Sequence, residues 1–156
     1  MKKIIYLQDE NGNFQKYEYE NISDLNEELK KRKITIGNNA SIENNARIGD
    51  SAMIENNARI GARAKIGACA TIGAGVKIGA NATIEAWVTI GAGAKIEVGA
   101  TIGEGATIGA GAKIGVRAKI GAGVKIGANA TIGEWANICA RATIGEGATI
   151  EKDNCF

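Results

Sequence analysis

The chain has 156 residues, with 22 glycines, no proline, no histidine and a formal net charge of +2. That size suggests one domain with a small appendage, and so weak a charge argues against nucleic acid or an anionic membrane as partner. No stretch reaches the roughly eighteen consecutive apolar residues of a membrane-crossing helix.

The N-terminus, Met1-Lys2-Lys3-Ile4-Ile5, is basic, but Gln8, Asp9 and Glu10 arrive too early for the apolar core of a signal peptide. A cytoplasmic protein is the expectation. Lys3 to Gln8 and Phe14 to Glu20 read as two short strands around the turn signal Asn11-Gly12. Ser23 is placed to cap a helix whose apolar stripe is Ile22, Leu25 and Leu29. Residues 1–35 therefore read as an N-terminal α+β cap, because a solenoid end exposes open core and unpaired strand groups. A recognition module is the other reading of this segment.

From residue 36 the pattern changes. Isoleucine stands at position 36 and at every sixth position through Ile150. Four residues after each isoleucine comes a small apolar residue, such as Ala40, Ala46, Val76, Val88 or Val124, until Asn154. The small residue and the next isoleucine flank one polar residue, so in an extended segment both point the same way. Each repeat is then a short strand and a corner, and three sides close a triangle of eighteen residues per coil. Residues 36–156 form nearly seven such coils, with strands stacked about 4.8 Å apart. The fold is an all-β, single-stranded parallel β-helix.

The residue three after each isoleucine sits where the chain turns, and glycine or asparagine tolerates the left-handed backbone such corners need. One corner carries Asn39, Asn57, Gly75, Gly93, Gly111, Asn129 and Gly147 without exception. Elsewhere Arg63, Cys69, Trp87, Arg117, Trp135 and Arg141 occupy it.

The repeat Ile-Gly-x-x-Ala-x, as in Ile72-Gly73-Ala74-Gly75-Val76-Lys77-Ile78-Gly79-Ala80-Asn81-Ala82-Thr83, resembles the hexapeptide-repeat proteins. The resemblance covers about three quarters of the chain and implies a left-handed winding, which periodicity alone would not give. It also implies a homotrimer. Many members are acyltransferases using acetyl-CoA, and one branch is the γ-class carbonic anhydrases. The family's usual acetyltransferase base is a histidine, whose pKa near neutrality suits that task. This chain has none, which also removes the three-histidine zinc site, and no loop interrupts its coils. Its regularity is that of an idealised, consensus-like solenoid.

Val98, Val116, Arg117 and Trp135 fall on one corner, with Trp135 one coil above Arg117, and they are the candidate subunit contact together with Trp87 from another corner. Arg59, Lys77, Lys95 and Lys113 form an outward basic ladder that suits an elongated anion, including the phosphates of CoA. Its plain reading is a solvated face with Glu97 relieving repulsion. Thr71, Thr89, Thr107 and Thr143, interrupted by Lys125, make a threonine rank like those of ice-binding faces, but glycine fills the second rank such faces carry. Gly73-Ala74-Gly75 lacks the spacing and the following helix of a phosphate loop. Glu85, Glu97 and Glu134 are the outward carboxylates available as bases.

The cysteines Cys69, Cys139 and Cys155 indicate neither a disulfide framework nor a metal site, and the sequons at Asn21, Asn39, Asn81 and Asn129 have no secretory context. Two functions are carried forward. One is a non-catalytic structural or assembly solenoid with no cofactor. The other is a CoA-dependent acyltransferase holding acetyl-CoA between subunits, with no catalytic residue assigned.

Overall fold

The computed structural model describes residues 2–152. Twenty short strands run from Thr35–Ile36 to Thr149–Ile150, and each ends on a repeat isoleucine. Every third strand joins the same parallel sheet, so three sheets form the faces of a triangular prism. The first face carries Ile36 and Ile54, the second Ile42 and Ile60, and the third Ile48 and Ile66. Register is strict: on the second face Ile60 pairs with Ile78, Ile78 with Ile96 and Ile96 with Ile114.

From Ile42 through Ile138 every repeat isoleucine is buried, and the small residue before it is fully buried from Ala46 to Ala136. Each buried isoleucine contributes on the order of 1.5–3 kcal/mol. Ile36, Ile144 and Ile150, at the two ends, are only half-buried. The alternation of large and small inward residues thus builds a coil interior without aromatic rings; the buried Tyr19 joins the core from the N-terminal hairpin.

All corner residues three after the isoleucine, from Asn39 to Gly147, have positive φ. That includes Arg63, Cys69, Trp87, Arg117, Trp135 and Arg141, with φ between 58° and 68°. The expected left-handed corner holds even where the residue type opposes it. Asn154 and Cys155 lie outside the described residues.

At the N-terminal end β1 (Lys3–Gln8) and β2 (Phe14–Tyr19) form an antiparallel hairpin. The Asp9 carboxylate accepts the N–H groups of Asn11 and Asn13 across its turn. β1 also runs parallel to the strand Ala46–Ile48, so the hairpin adds two strands to the third sheet. Ile5 and Leu7 continue the core below Ala46 and Ile48. β2 ends at Tyr19, one residue short of the expected Glu20.

A 3-10 turn over Ile22–Leu25 leads into α1 (Asn26–Lys31). Ser23 does not cap it. Asn21 is the extended residue before the turn, and the Asp24 carboxylate reaches back to accept the N–H groups of Asn21 and Glu20 at 3.1 and 3.3 Å. The turn starts before Ser23, which leaves its hydroxyl inside the segment rather than at its mouth. The apolar stripe is as expected, with Leu25 and Leu29 buried and Ile22 half-buried. No helix among the described residues is long and apolar enough to cross a membrane.

Candidate functional site

Three places on the exterior carry chemistry. The first is the corner that follows the second face, where Val98, Val116, Arg117 and Trp135 come together as the repeat requires. Arg117 and Trp135 are one coil apart, and the guanidinium carbon lies 5.2 Å from the indole centroid. Their contact is a cation–π stack, of the order of 0.5–1 kcal/mol at an exposed site. Below it, the missing side chain of Gly99 makes room, because a Cβ there would meet the Arg117 Cγ at 3.1 Å. Trp135 remains 60% exposed and Val98 44% exposed, while Val116 is half-buried. Trp87 stands on the next corner, 64% exposed, one coil above the free thiol of Cys69. It does not touch the Arg117–Trp135 stack within the chain, since the third face lies between the two corners.

The second place is the basic ladder on the second face. Arg59 pairs in register with Lys77, Lys77 with Lys95 and Lys95 with Lys113, all on exposed positions. None of the four makes an ion pair among the described residues. The pairs present are Lys3–Glu43, Lys31–Glu28 and Arg32–Glu28, all within the cap and first coil. Glu97 is exposed and forms no ion pair with Lys95 or Lys113, so the expected relief of repulsion does not take that form.

The third place is a groove of about 340 Å³ between the hairpin turn and the third face, lined among others by Gln8, Phe14, Lys65, Thr83 and Glu85. Phe14 is held there by Arg47, whose guanidinium lies 5.6 Å from its ring and 5.3 Å from that of Tyr6. Of the outward glutamates, Glu85 lines this groove and Glu97 and Glu134 do not. No cluster of metal-ligating side chains exists among the described residues.

Sequence reasoning missed the polar network of the cap. Arg32 is buried, and its guanidinium donates to the Glu28 carboxylate at 2.8 Å, to Gln15 Oε1 at 2.8 Å and to the Tyr17 hydroxyl at 2.9 Å. Its Nε has no partner among the described residues. The hydrogen bonds from Arg32 and then Tyr17 hold the Glu28 carboxyl below the usual carboxylate range. The only signal was Glu28 and Arg32 at helical i,i+4 spacing.

The family model described as bacterial transferase hexapeptide, six repeats, matches residues 33–68, 51–86, 69–104 and 117–152. A comparison with curated proteins found no match. Among solved structures, the acetyltransferase domain of PglB from Neisseria gonorrhoeae FA1090 is 25% identical with a TM-score of 0.64, over 82% of this chain and 59% of that one. A hexapeptide transferase family protein from Anaplasma phagocytophilum is 20% identical with a TM-score of 0.58, over 78% and 74%. A mutant of perosamine N-acetyltransferase from Caulobacter crescentus, in complex with CoA and GDP-perosamine, is 21% identical with a TM-score of 0.50, over 78% and 50%. The chain thus spans 59% of the PglB domain and half of the perosamine enzyme.

Proposed function

The chain belongs to the bacterial transferase hexapeptide family of left-handed β-helices, and from that premise we propose that it is a non-catalytic assembly solenoid working as a homotrimer. The observation that carries this reading is the corner of Val98, Val116, Arg117 and Trp135. A bulky side chain at positive φ costs about 1–2 kcal/mol, and here Trp135 has φ 63° and Arg117 φ 58°. Their mutual stack offsets only part of that cost, and most of the indole stays in solvent. Contact with a second copy would cover the indole and the two valines, and Trp87 on the far side of the third face would meet the third copy. The absence of any histidine supports the non-catalytic half of the reading, since the family's usual acetyltransferase base is missing.

Sedimentation of the wild type and of Val98→Glu/Val116→Glu/Trp135→Ala tests the assembly. The wild type is expected as a trimer and the variant as a folded monomer. A variant that still forms trimers overturns the proposed contact.

One observation favours a second reading, CoA-dependent acyl transfer. Glu85 borders the groove beside Lys65 and Thr83, which places a carboxylate base next to a site of ligand size. The perosamine enzyme was solved with CoA, and a similar donor would lie between subunits here. Calorimetric titration with acetyl-CoA separates the two. Binding of one molecule per subunit, with turnover abolished in Glu85→Gln, would replace the scaffold reading; no heat from a folded trimer supports it.

A further inference from the structure

We propose that the second face binds a linear acidic polysaccharide, seating one carboxylate or sulfate per coil on Arg59, Lys77, Lys95 and Lys113. The fold does not require these cations. The same outward position on the same face carries Ser41 before them and Thr131 and Thr149 after them, so a small hydroxyl fits the rung equally well. Four cations have instead been placed directly opposite one another, about 4.8 Å apart. Like charges so paired are destabilising, and the spacing is well inside the screening length of about 8 Å at physiological salt. No carboxylate neutralises them among the described residues.

The other faces have no comparable run. On the third, Arg47 is occupied between Tyr6 and Phe14, and Lys65 is followed by Thr83 and Thr101. On the first, Lys125 stands between Thr107 and Thr143.

Access is open from the corner that precedes the ladder. Gly75 and Gly93 have nothing within 4 Å of where a Cβ would stand. Ala74 and Ala92 beside them end at the methyl group, while at Gly111 the Asn129 side chain lies over the corner. A polymer can therefore lie flat along the ladder. The strands fix the backbone of the row, so binding orders the four long side chains but not the chain that carries them.

The geometry selects among polyanions. Single-stranded nucleic acid is held by aromatic platforms interleaved with cations, and this face has no aromatic residue. Phosphates along one strand of duplex DNA wind around the helix axis and so leave a straight row within a few rungs. A linear sugar-acid chain carries a charge on each monomer and has no base to stack, which suits a row of cations without an aromatic platform. The second face ends at the corner proposed for subunit contact, so in an assembly the polymer reaches the ladder from the opposite corner, that of Gly75 and Gly93.

The test is affinity electrophoresis of the wild type through gels holding polygalacturonate, dextran sulfate or poly(dT), at several salt concentrations. Two variants each lose three charges: Lys77→Gln/Lys95→Gln/Lys113→Gln on the ladder, and Lys65→Gln/Lys119→Gln/Lys125→Gln off it. All six positions point outward, and equal melting temperatures confirm that both variants fold. The wild type is expected to be retarded by at least one glycan. The ladder variant should lose most of that retardation, with its remaining log affinity falling less steeply with log salt, while the other variant keeps it. Stronger binding to polygalacturonate identifies carboxylate as the ligand group, and stronger binding to dextran sulfate identifies sulfate. No retardation by either glycan, equal loss in both variants, or tighter binding to poly(dT) overturns the proposal.

Discussion

The backbone N–H of Gly91 donates to the carbonyl of Ile108 in the next coil at 2.7 Å. From Gly37 to Gly133, wherever glycine follows the repeat isoleucine, this bond measures 2.6 to 2.8 Å; where glutamate does, as at Glu85 and Glu97, it measures 2.9 to 3.0 Å. The reason is steric. A Cβ on Gly91 would come within 2.5 Å of the Ala110 nitrogen. Glycine here draws neighbouring coils together, a different task from the corner glycine two residues on, where Gly93 has φ +74° and open space around it. Gly93→Ala is therefore expected to cost about 1 kcal/mol through backbone conformation alone. Gly91→Ala should cost more, about 1–3 kcal/mol, by overpacking, and should lengthen its rung toward the 2.9 Å seen at Glu97. Denaturant unfolding of the two variants compares them directly. Equal losses would mean that coil spacing adjusts freely.

The Arg117–Trp135 stack is measurable separately from any assembly. In a double-mutant cycle of Arg117→Ala and Trp135→Ala, run at concentrations where the chain is monomeric, a coupling of about 0.5–1 kcal/mol is expected. A coupling indistinguishable from zero would leave the two side chains as neighbours without an energetic link, and the strain at both corners without any offset inside the chain.

The parts of this molecule that were legible in the sequence are those that repeat. Isoleucine at Ile36 and every sixth residue after it specified the strand period, the inward face and the stacking of Trp135 on Arg117, because residues eighteen apart must be neighbours. The cap has no period, and its contacts cross between elements. Nothing in the residue order announces that Arg47 sits between Tyr6 and Phe14, or that Arg32 gathers Gln15, Tyr17 and Glu28. Asn21 displaced Ser23 as the start of the turn because Asp24, three residues on, could close on its N–H. The tight rungs were hidden for another reason: glycine after isoleucine looks like flexibility until the neighbouring coil is in place.

The Glu28–Arg32 pair predicts an acid limit to cap stability. The folded carboxyl titrates below its ordinary value near 4.5. A depressed carboxylate stabilises the fold above that ordinary value, and the contribution is lost as pH falls below it toward the folded value. Denaturant titrations of the wild type should therefore show stability declining below about pH 4.5, with a shallower decline in Glu28→Gln. That variant should also be less stable near neutrality, because the buried Arg32 guanidinium keeps its other bonds but loses its counter-charge. Identical acid limbs for both proteins would show that the pair does not couple to folding.

Tyr19 sets the opposite limit. Its hydroxyl, buried on the hairpin, donates to the Ile42 carbonyl at 2.6 Å and so ties the cap to the first coil. Burial, with the nearby Glu43 carboxylate adding to it, pushes the phenol up from 10.0 to about 12. A raised phenol means that the neutral form is favoured in the fold, so its contribution is complete below pH 10 and is lost as pH climbs toward 12. The loss across that window is on the order of 2 to 3 kcal/mol. Tyr19→Phe removes the titration, and it also leaves the Ile42 carbonyl without its donor, at about 1–3 kcal/mol at neutral pH. The variant should thus start less stable than the wild type and converge with it above pH 11 to 12. The difference in phenolate absorbance between the two proteins should rise near 12 rather than 10. A midpoint near 10, with stability curves that stay parallel, would mean that the hairpin opens before Tyr19 ionises and that this hydrogen bond does not hold the cap to the first coil.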